Sequence, residues 1–217
     1  SEGVIPVSVN VGDQLSNAVT YTFDKPQILS HSPATLSTSG GQQITLTGTN
    51  FGFTGRATIG DKSCATVSRK AHVEIICTTP VLSGPNIPVD VVVVGSHSSV
   101  YYVSATTPVI TSVQIDSGAA ITDIAVRAQS RTNGGGLLRL LGSNFSAAPK
   151  VFIGTEECLV QTRSHTEVTC TIAEGSGANL PIVVNAGGVT SRTDGFKLDF
   201  LPPTIIGVQP STALTSG

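Results

Sequence analysis

Four cysteines are the residues of this 217-residue chain best placed to do chemistry, and they fall in two pairs, Cys64 with Cys77 and Cys158 with Cys170. Thiols at such spacing either close disulfides or, with imidazoles nearby, ligate a metal. Each pair brackets a short polar segment, around "RKAH" in the first and "RSH" in the second. If "CATVS" and "VEIIC" pair antiparallel around the first, Cys64 faces Cys77. The second pair folds in the same way, with Cys158 facing Cys170 around a turn one residue shorter. Directly opposed residues have Cα atoms about 4.5–5.5 Å apart, inside the range a disulfide tolerates. Two disulfides are therefore expected, and an even, paired count implies an oxidising compartment. The metal alternative rests on His72 and His165, each five residues before the second cysteine of its pair. A zinc site would need a fourth ligand, and His31 and His97 have no counterparts to supply one. The histidines read as turn residues, with no metal and no cofactor expected.

Other chemistry fares less well. Glu156 and Glu157 are adjacent, hence on opposite faces of a strand, and no Gly-x-Ser-x-Gly elbow accompanies the abundant serines. The stretch "GGQQITLTGTNFG", residues 40–52, lacks the Gly-Lys-Ser/Thr ending that cradles phosphate. No enzymatic role is expected. A net charge of −2 with scattered Lys and Arg offers no footprint for nucleic acid. No apolar run approaches the roughly 20 residues of a membrane span, and no basic-then-apolar leader opens the chain. With no Met anywhere, the chain reads as a piece of a longer polypeptide. "NFS" at Asn144 to Ser146 is a sequon in a turn, as a surface glycan needs. Its counterpart "TNFG" has Asn50 in the same place without a sequon, so turn conformation is a second reason for the Asn.

The elements that must position these residues repeat. "GGQQITLTGTNFG" recurs as "GGGLLRLLGSNFS" (134–146), and "ATIGDKSCATV" from Ala57 recurs as "VFIGTEECLVQ" from Val151, both at an offset of 94. "HVEIIC" and "HTEVTC" match at 93. "IPVDVVVVG" (87–95) matches "LPIVVNAGG" (180–188), and both resemble "IPVSVNVG" (5–12). Each is followed by an aromatic strand and a proline junction, and "PSTALTSG" near the end repeats "PATLSTSG". The reading is the C-terminal strands of one module at 1–24, complete modules at 25–107 and 108–202, and the first strand of another at 203–217. With 39% hydrophobic residues, 12% charged, 23 Gly and 12 Pro, short strands joined by turns are expected throughout. The fold class is all-β, in small immunoglobulin-like sandwiches.

The ordered set Pro-x-Ile, Ser-Gly-Gly, alternating strand, Gly-x-Asn-Phe, Ile-Gly, Cys, Cys-Thr-Thr-Pro, Pro-Val-x-Val and aromatic strand resembles the IPT/TIG domains, early-set immunoglobulin-like modules of plexins, growth-factor receptors and fibrocystin-like surface proteins. The resemblance implies a non-enzymatic segment of an extracellular or cell-surface protein, serving as a stiff spacer and protein-interaction module. Its partners would be other modules of the same chain and a protein or second copy at the cell surface. An accessory carbohydrate-binding region is the alternative, and a DNA-binding Rel-type region a more distant one. Proline junctions such as "SATTPVI" and "DFLPPTI" leave almost no flexible linker, so a rod-like array is expected.

The second complete module carries about twelve extra residues near 116–133. Register with "QQITLTG" sets Leu138 and Leu140 in the core and Leu137, Arg139 and Leu141 on the face that its sibling keeps polar. These three are the candidate interface. The insertion, with Ile121, Ile124 and Val126, is expected to fold over Leu137 and Leu141, unless a neighbouring chain does so; a mobile loop with a locally shifted strand register is the other reading.

Overall fold

The computed structural model describes residues 4–116, 118–209 and 211, and among them every regular element is a β-strand. The chain opens with β1 (Val4–Val7), β2 (Asn10–Val11), β3 (Gln14–Leu15) and β4 (Val19–Thr22), in which β1 pairs with β4 and β2 with β3. The first complete module follows as β5 (Gln27–Ser32), β6 (Gln43–Thr49), β7 (Arg56–Ile59), β8 (Lys62–Lys70), β9 (Glu74–Thr78), β10 (Ile87–Val93), β11 (Ser96–His97) and β12 (Tyr101–Val103). The second comprises β13 (Val109–Ile115), β14 (Ala128–Ser130), β15 (Leu137–Ser143), β16 (Lys150–Ile153), β17 (Glu156–Arg163), β18 (Glu167–Thr171), β19 (Leu180–Ala186), β20 (Val189–Thr190) and β21 (Lys197–Phe200).

In the first module β5, β6, β9 and the second half of β8 make one layer, while the first half of β8, β7 and β10 with its partners β11 and β12 make the other. Strand β8 passes from layer to layer: Lys62–Cys64 pair with β7 and Ala65–Lys70 with β9. The second module repeats this plan through β13, β15, β18, β17, β16, β19 and β21. Alternation drives the assembly. On β6, Ile44 and Leu46 are fully buried while Gln43 and Thr47 face solvent. Each such side chain stabilises the sandwich by about 1.5–3 kcal/mol relative to exposure. Each module gathers its own core, around Leu36, Ile44, Leu46 and Phe51 in the first and Leu138, Leu140, Phe145 and Leu198 in the second.

The Gly-x-Asn-Phe turn has a physical reason at each position. A Cβ on Gly142 would run into the Val109 carbonyl and lie 2.6 Å from the Phe145 ring. Asn144 takes the left-handed conformation, φ 60°, which Asn tolerates better than most residues. Phe145 then drops into the core. Gly48, Asn50 and Phe51 do the same in the first module.

The insertion corrects one expectation. It does not fold over Leu137 and Leu141. Ile121 instead exchanges both backbone hydrogen bonds with Val113 on the outer edge of the sheet, at 2.9 and 2.7 Å. The chain then crosses to the other layer, where β14 pairs parallel with β21. Arg127 clinches the crossing through an ion pair with Asp199, 3.2 Å. In the first module the same crossing is a single parallel bridge, Leu36 to Ala105. The extra residues therefore lengthen an existing connection, because satisfying open backbone groups on an edge strand outweighs covering a few apolar side chains. Of the three apolar insertion residues only Ile121 packs against the core; Ile124 and Val126 are exposed.

Residues 203–209 lie outside any strand. Most of "PSTALTSG", expected to belong to another first strand, lies outside the described residues. In both complete modules the strand at this place is held by a glycine-led partner, β6 for β5 and β15 for β13.

Candidate functional site

The structure bonds Cys64 to Cys77 and Cys158 to Cys170, with Cα separations of 5.4 and 5.5 Å. The cysteines are not directly opposed, however. Cys77 stands opposite Thr66, and a bulge at Val67 shifts the register. Cys64 lies two residues further, where β8 has already joined the other layer and pairs with Ala57. Cys170 likewise faces Val160, past a bulge at Gln161, while Cys158 pairs with Val151. Each disulfide therefore ties one layer to the other, in the buried interior.

The chemistry that the sequence did not disclose lies where the two modules meet. Loops at the C-terminal end of the first module, around Ser37–Ser39 and Ser83–Gly84, touch loops at the N-terminal end of the second, around Asn144–Ala148, His165 and Gly187. Thr38 Oγ1 lies 3.0 Å from His165 Nδ1, and Ser37 Oγ donates to Asn144 Oδ1 at 3.4 Å. Thr38 is completely buried, which a polar side chain accepts only with a partner. At Gly84 the two backbones approach so closely that a Cβ would strike the Gly187 carbonyl, and one on Gly187 would lie 2.8 Å from Ser83 Oγ. Gly84 also has φ 91°, a conformation that L side chains rarely adopt. Neither glycine can be replaced without disturbing the contact. The sequence held a signal for this joint: Gly84 recurs as Gly177, φ 109°, within "SGPNIP" (83–88) and "SGANLP" (176–181).

His165 and His72 both occupy turns, with His72 at φ 69°. His72 stacks edge-on with Phe53, ring centroids 5.0 Å apart. His31 Nδ1 lies 2.7 Å from the Tyr101 hydroxyl and Nε2 3.3 Å from the Ala34 carbonyl. A carbonyl only accepts, so Nε2 carries a proton and donates to Ala34. Among the described residues no group of three or more His, Cys, Asp and Glu is arranged to hold a metal ion.

The candidate interface on β15 is less apolar than its sequence reads. Leu137 is 43% exposed, Leu141 is half-buried, and Arg139 between them makes a two-pronged ion pair with Glu167, Nε to Oε1 2.8 Å and Nη2 to Oε2 3.1 Å. These hydrogen bonds hold the Glu167 carboxyl below its usual value. Gln114 and Thr169 flank Arg139 on the neighbouring strands. One exposed leucine among polar neighbours is ordinary surface and makes no docking patch by itself. Asn144, the sequon residue, is half-buried on the joint, and Ser146 beside it is buried.

A family model described as IPT/TIG domain matches residues 26–107 and again 108–200. Human fibrocystin-L is 26% identical over 216 residues, covering 97% of this chain and 5% of that protein. The chain thus spans about one-twentieth of the curated relative it matches. Among solved structures, the plexin A4 extracellular region is similar over 86% of this chain and 16% of its own, at 18% identity and a TM-score of 0.36. The surface glycan-binding protein PbSGBP-B of Prevotella bryantii is similar over 77% of this chain and 41% of its own, at 15% identity and a TM-score of 0.45.

Proposed function

The chain belongs to the IPT/TIG domain family in two consecutive copies, and from that premise we propose that it is a non-enzymatic spacer of an extracellular or cell-surface protein, holding what lies on either side at a set separation and angle. The observation that carries this reading is the joint. Two modules joined by a flexible linker would hold neither angle nor separation. Here the connection is short and ends in Pro108, and Thr38, Gly84, His165 and Gly187 add contacts beside it. The two interlayer disulfides support the compartment, since such bonds persist where thiols are oxidised. Relatives of the fibrocystin kind support a surface protein whose partners are proteins and further modules.

Small-angle scattering on the chain tests the shape. A single elongated particle with the cross-section of one sandwich is the expected result. A profile of two freely jointed bodies, or of two sandwiches side by side, would remove the spacer role.

The sequon falls on the same seam. On secretion from eukaryotic cells, Asn144 is expected to carry a glycan on Nδ2, leaving Oδ1 for Ser37. Peptide-N-glycosidase should then shift the mass of the chain and leave that of a Ser146→Ala variant unchanged. Equal masses with and without the enzyme would strike the glycan from this reading.

A further inference from the structure

The first module ends in a shallow socket of about 270 Å³ formed by Ile59, Gly60, Asp61, Lys62, Leu82 and Ile87, and the second module seats Ala147 and Ala148 on its rim. The second module ends in the same socket. Ile153, Gly154, Thr155, Glu156, Gly175 and Leu180 hold the equivalent positions around about 340 Å³, with the Phe200 ring as part of the lining. Among the described residues, none beyond Phe200 lines it.

The surroundings match as well. Leu82 N–H donates to the Thr38 carbonyl at 3.3 Å and Ala105 N–H to the Gly84 carbonyl at 3.0 Å; Gly175 N–H donates to Thr132 and Phe200 N–H to Gly177, both at 2.9 Å. The hydrogen bonds are the same, and the exposure is opposite. Thr38 and Gly84 are buried by the second module, whereas Thr132 and Gly177 lie open to solvent. A backbone built to the geometry of a joint, with both left-handed glycines kept, is thus present without its counterpart.

We infer that this end of the second module, comprising the Ile153–Glu156 turn, Thr132 and Gly177, is the docking face for one further module of the same kind, joined through the Leu201–Pro202–Pro203 junction. The inference rests on the spacer reading and names the partner. The occupant is set by the joint already formed: its loop after the Gly-x-Asn-Phe turn enters the socket, its turn histidine or equivalent donor meets Thr132, and its counterpart of Gly187 meets Gly177. Charge narrows the choice. Glu156 and Glu174 replace Lys62 and Val81 on the rim, so the entering loop carries a basic residue beside small ones.

The test extends the whole chain at position 203 with a second copy of residues 108–200, which supplies the loop with Ala147 and Ala148 and carries its own core. Amide hydrogen exchange is followed at Gly175 and Phe200, with Leu82 and Ala105 as covered references. In the unextended chain Gly175 and Phe200 should exchange faster than their references, and in the extended chain they should slow at least tenfold. Introducing Ala147→Glu and Ala148→Glu into the appended copy should restore fast exchange, by placing carboxylates against Glu156 and Glu174. Unchanged exchange at Gly175 and Phe200 on extension, or protection that survives the two glutamates, would overturn the inference while leaving the spacer reading intact. Fast exchange at Leu82 and Ala105 themselves would instead count against the existing joint, and so against both.

Discussion

Replacing Cys64 and Cys77 together by alanine should cost the first module about 3 kcal/mol, the amount that closing a loop of this size removes from the unfolded chain's freedom. The loop spans 13 residues. It also ties the two layers through the interior, so its loss frees β8 from β9 at the point where β8 changes layer. Tyrosine emission isolates the effect. Tyr101 and Tyr102 lie in the first complete module, residues 108–200 contain no tyrosine, and the third, Tyr21 in the 1–24 segment, is replaced by Phe for the measurement. Denaturant unfolding followed by that emission should therefore shift strongly, while the second module, with Cys158–Cys170 intact, keeps its own transition in far-ultraviolet dichroism. A tyrosine transition that stays where it was would mean the bond does not hold the layers together.

Phe145→Ala should destabilise the second module by about 3–5 kcal/mol, the usual cost of deleting a buried aromatic ring. Phe145 is wholly buried and its ring lies over Gly142, so no neighbour can slide in to fill the cavity without moving β15. Gly142→Ala should be damaging by a second route, since its Cβ would meet both that ring and the Val109 carbonyl. Leu137→Ala, three residues before Leu140 on the solvent face, is the comparison and should cost under about 1 kcal/mol. Similar unfolding midpoints for Phe145→Ala and Leu137→Ala would refute the role assigned to the Gly-x-Asn-Phe turn.

How much of this was legible in the sequence differs from element to element. The repeat, the sandwich and the partners of each cysteine follow from local pattern: alternation on "QQITLTG", paired spacing of Cys, a left-handed Asn after Gly. The stagger of each cysteine pair was not legible, because residue type does not mark where the hairpin turns. Lys70 pairs with Glu74 and Arg163 with Val168, which sets each turn further along than the direct-facing register would, and the bulges at Val67 and Gln161 take back one residue of that shift. The insertion was misjudged for a related reason. Its apolar residues suggested a cover for Leu137, whereas the unpaired edge of β13 and the open flank of β21 claimed its backbone first. The joint was least visible of all. Thr38 and His165 stand 127 positions apart and each reads as an ordinary turn residue; only the folded arrangement brings them together.

A spacer requires its two modules to hold one orientation in solution. Residual dipolar couplings from weakly aligned chain measure this directly when amides of 26–107 and of 108–200 are fitted separately. A joint held by Thr38, Gly84, His165 and Gly187 predicts alignment tensors of equal magnitude whose axes coincide when the modules are oriented as in the structure. Tensors of unequal magnitude, as two independently tumbling sandwiches produce, would contradict it.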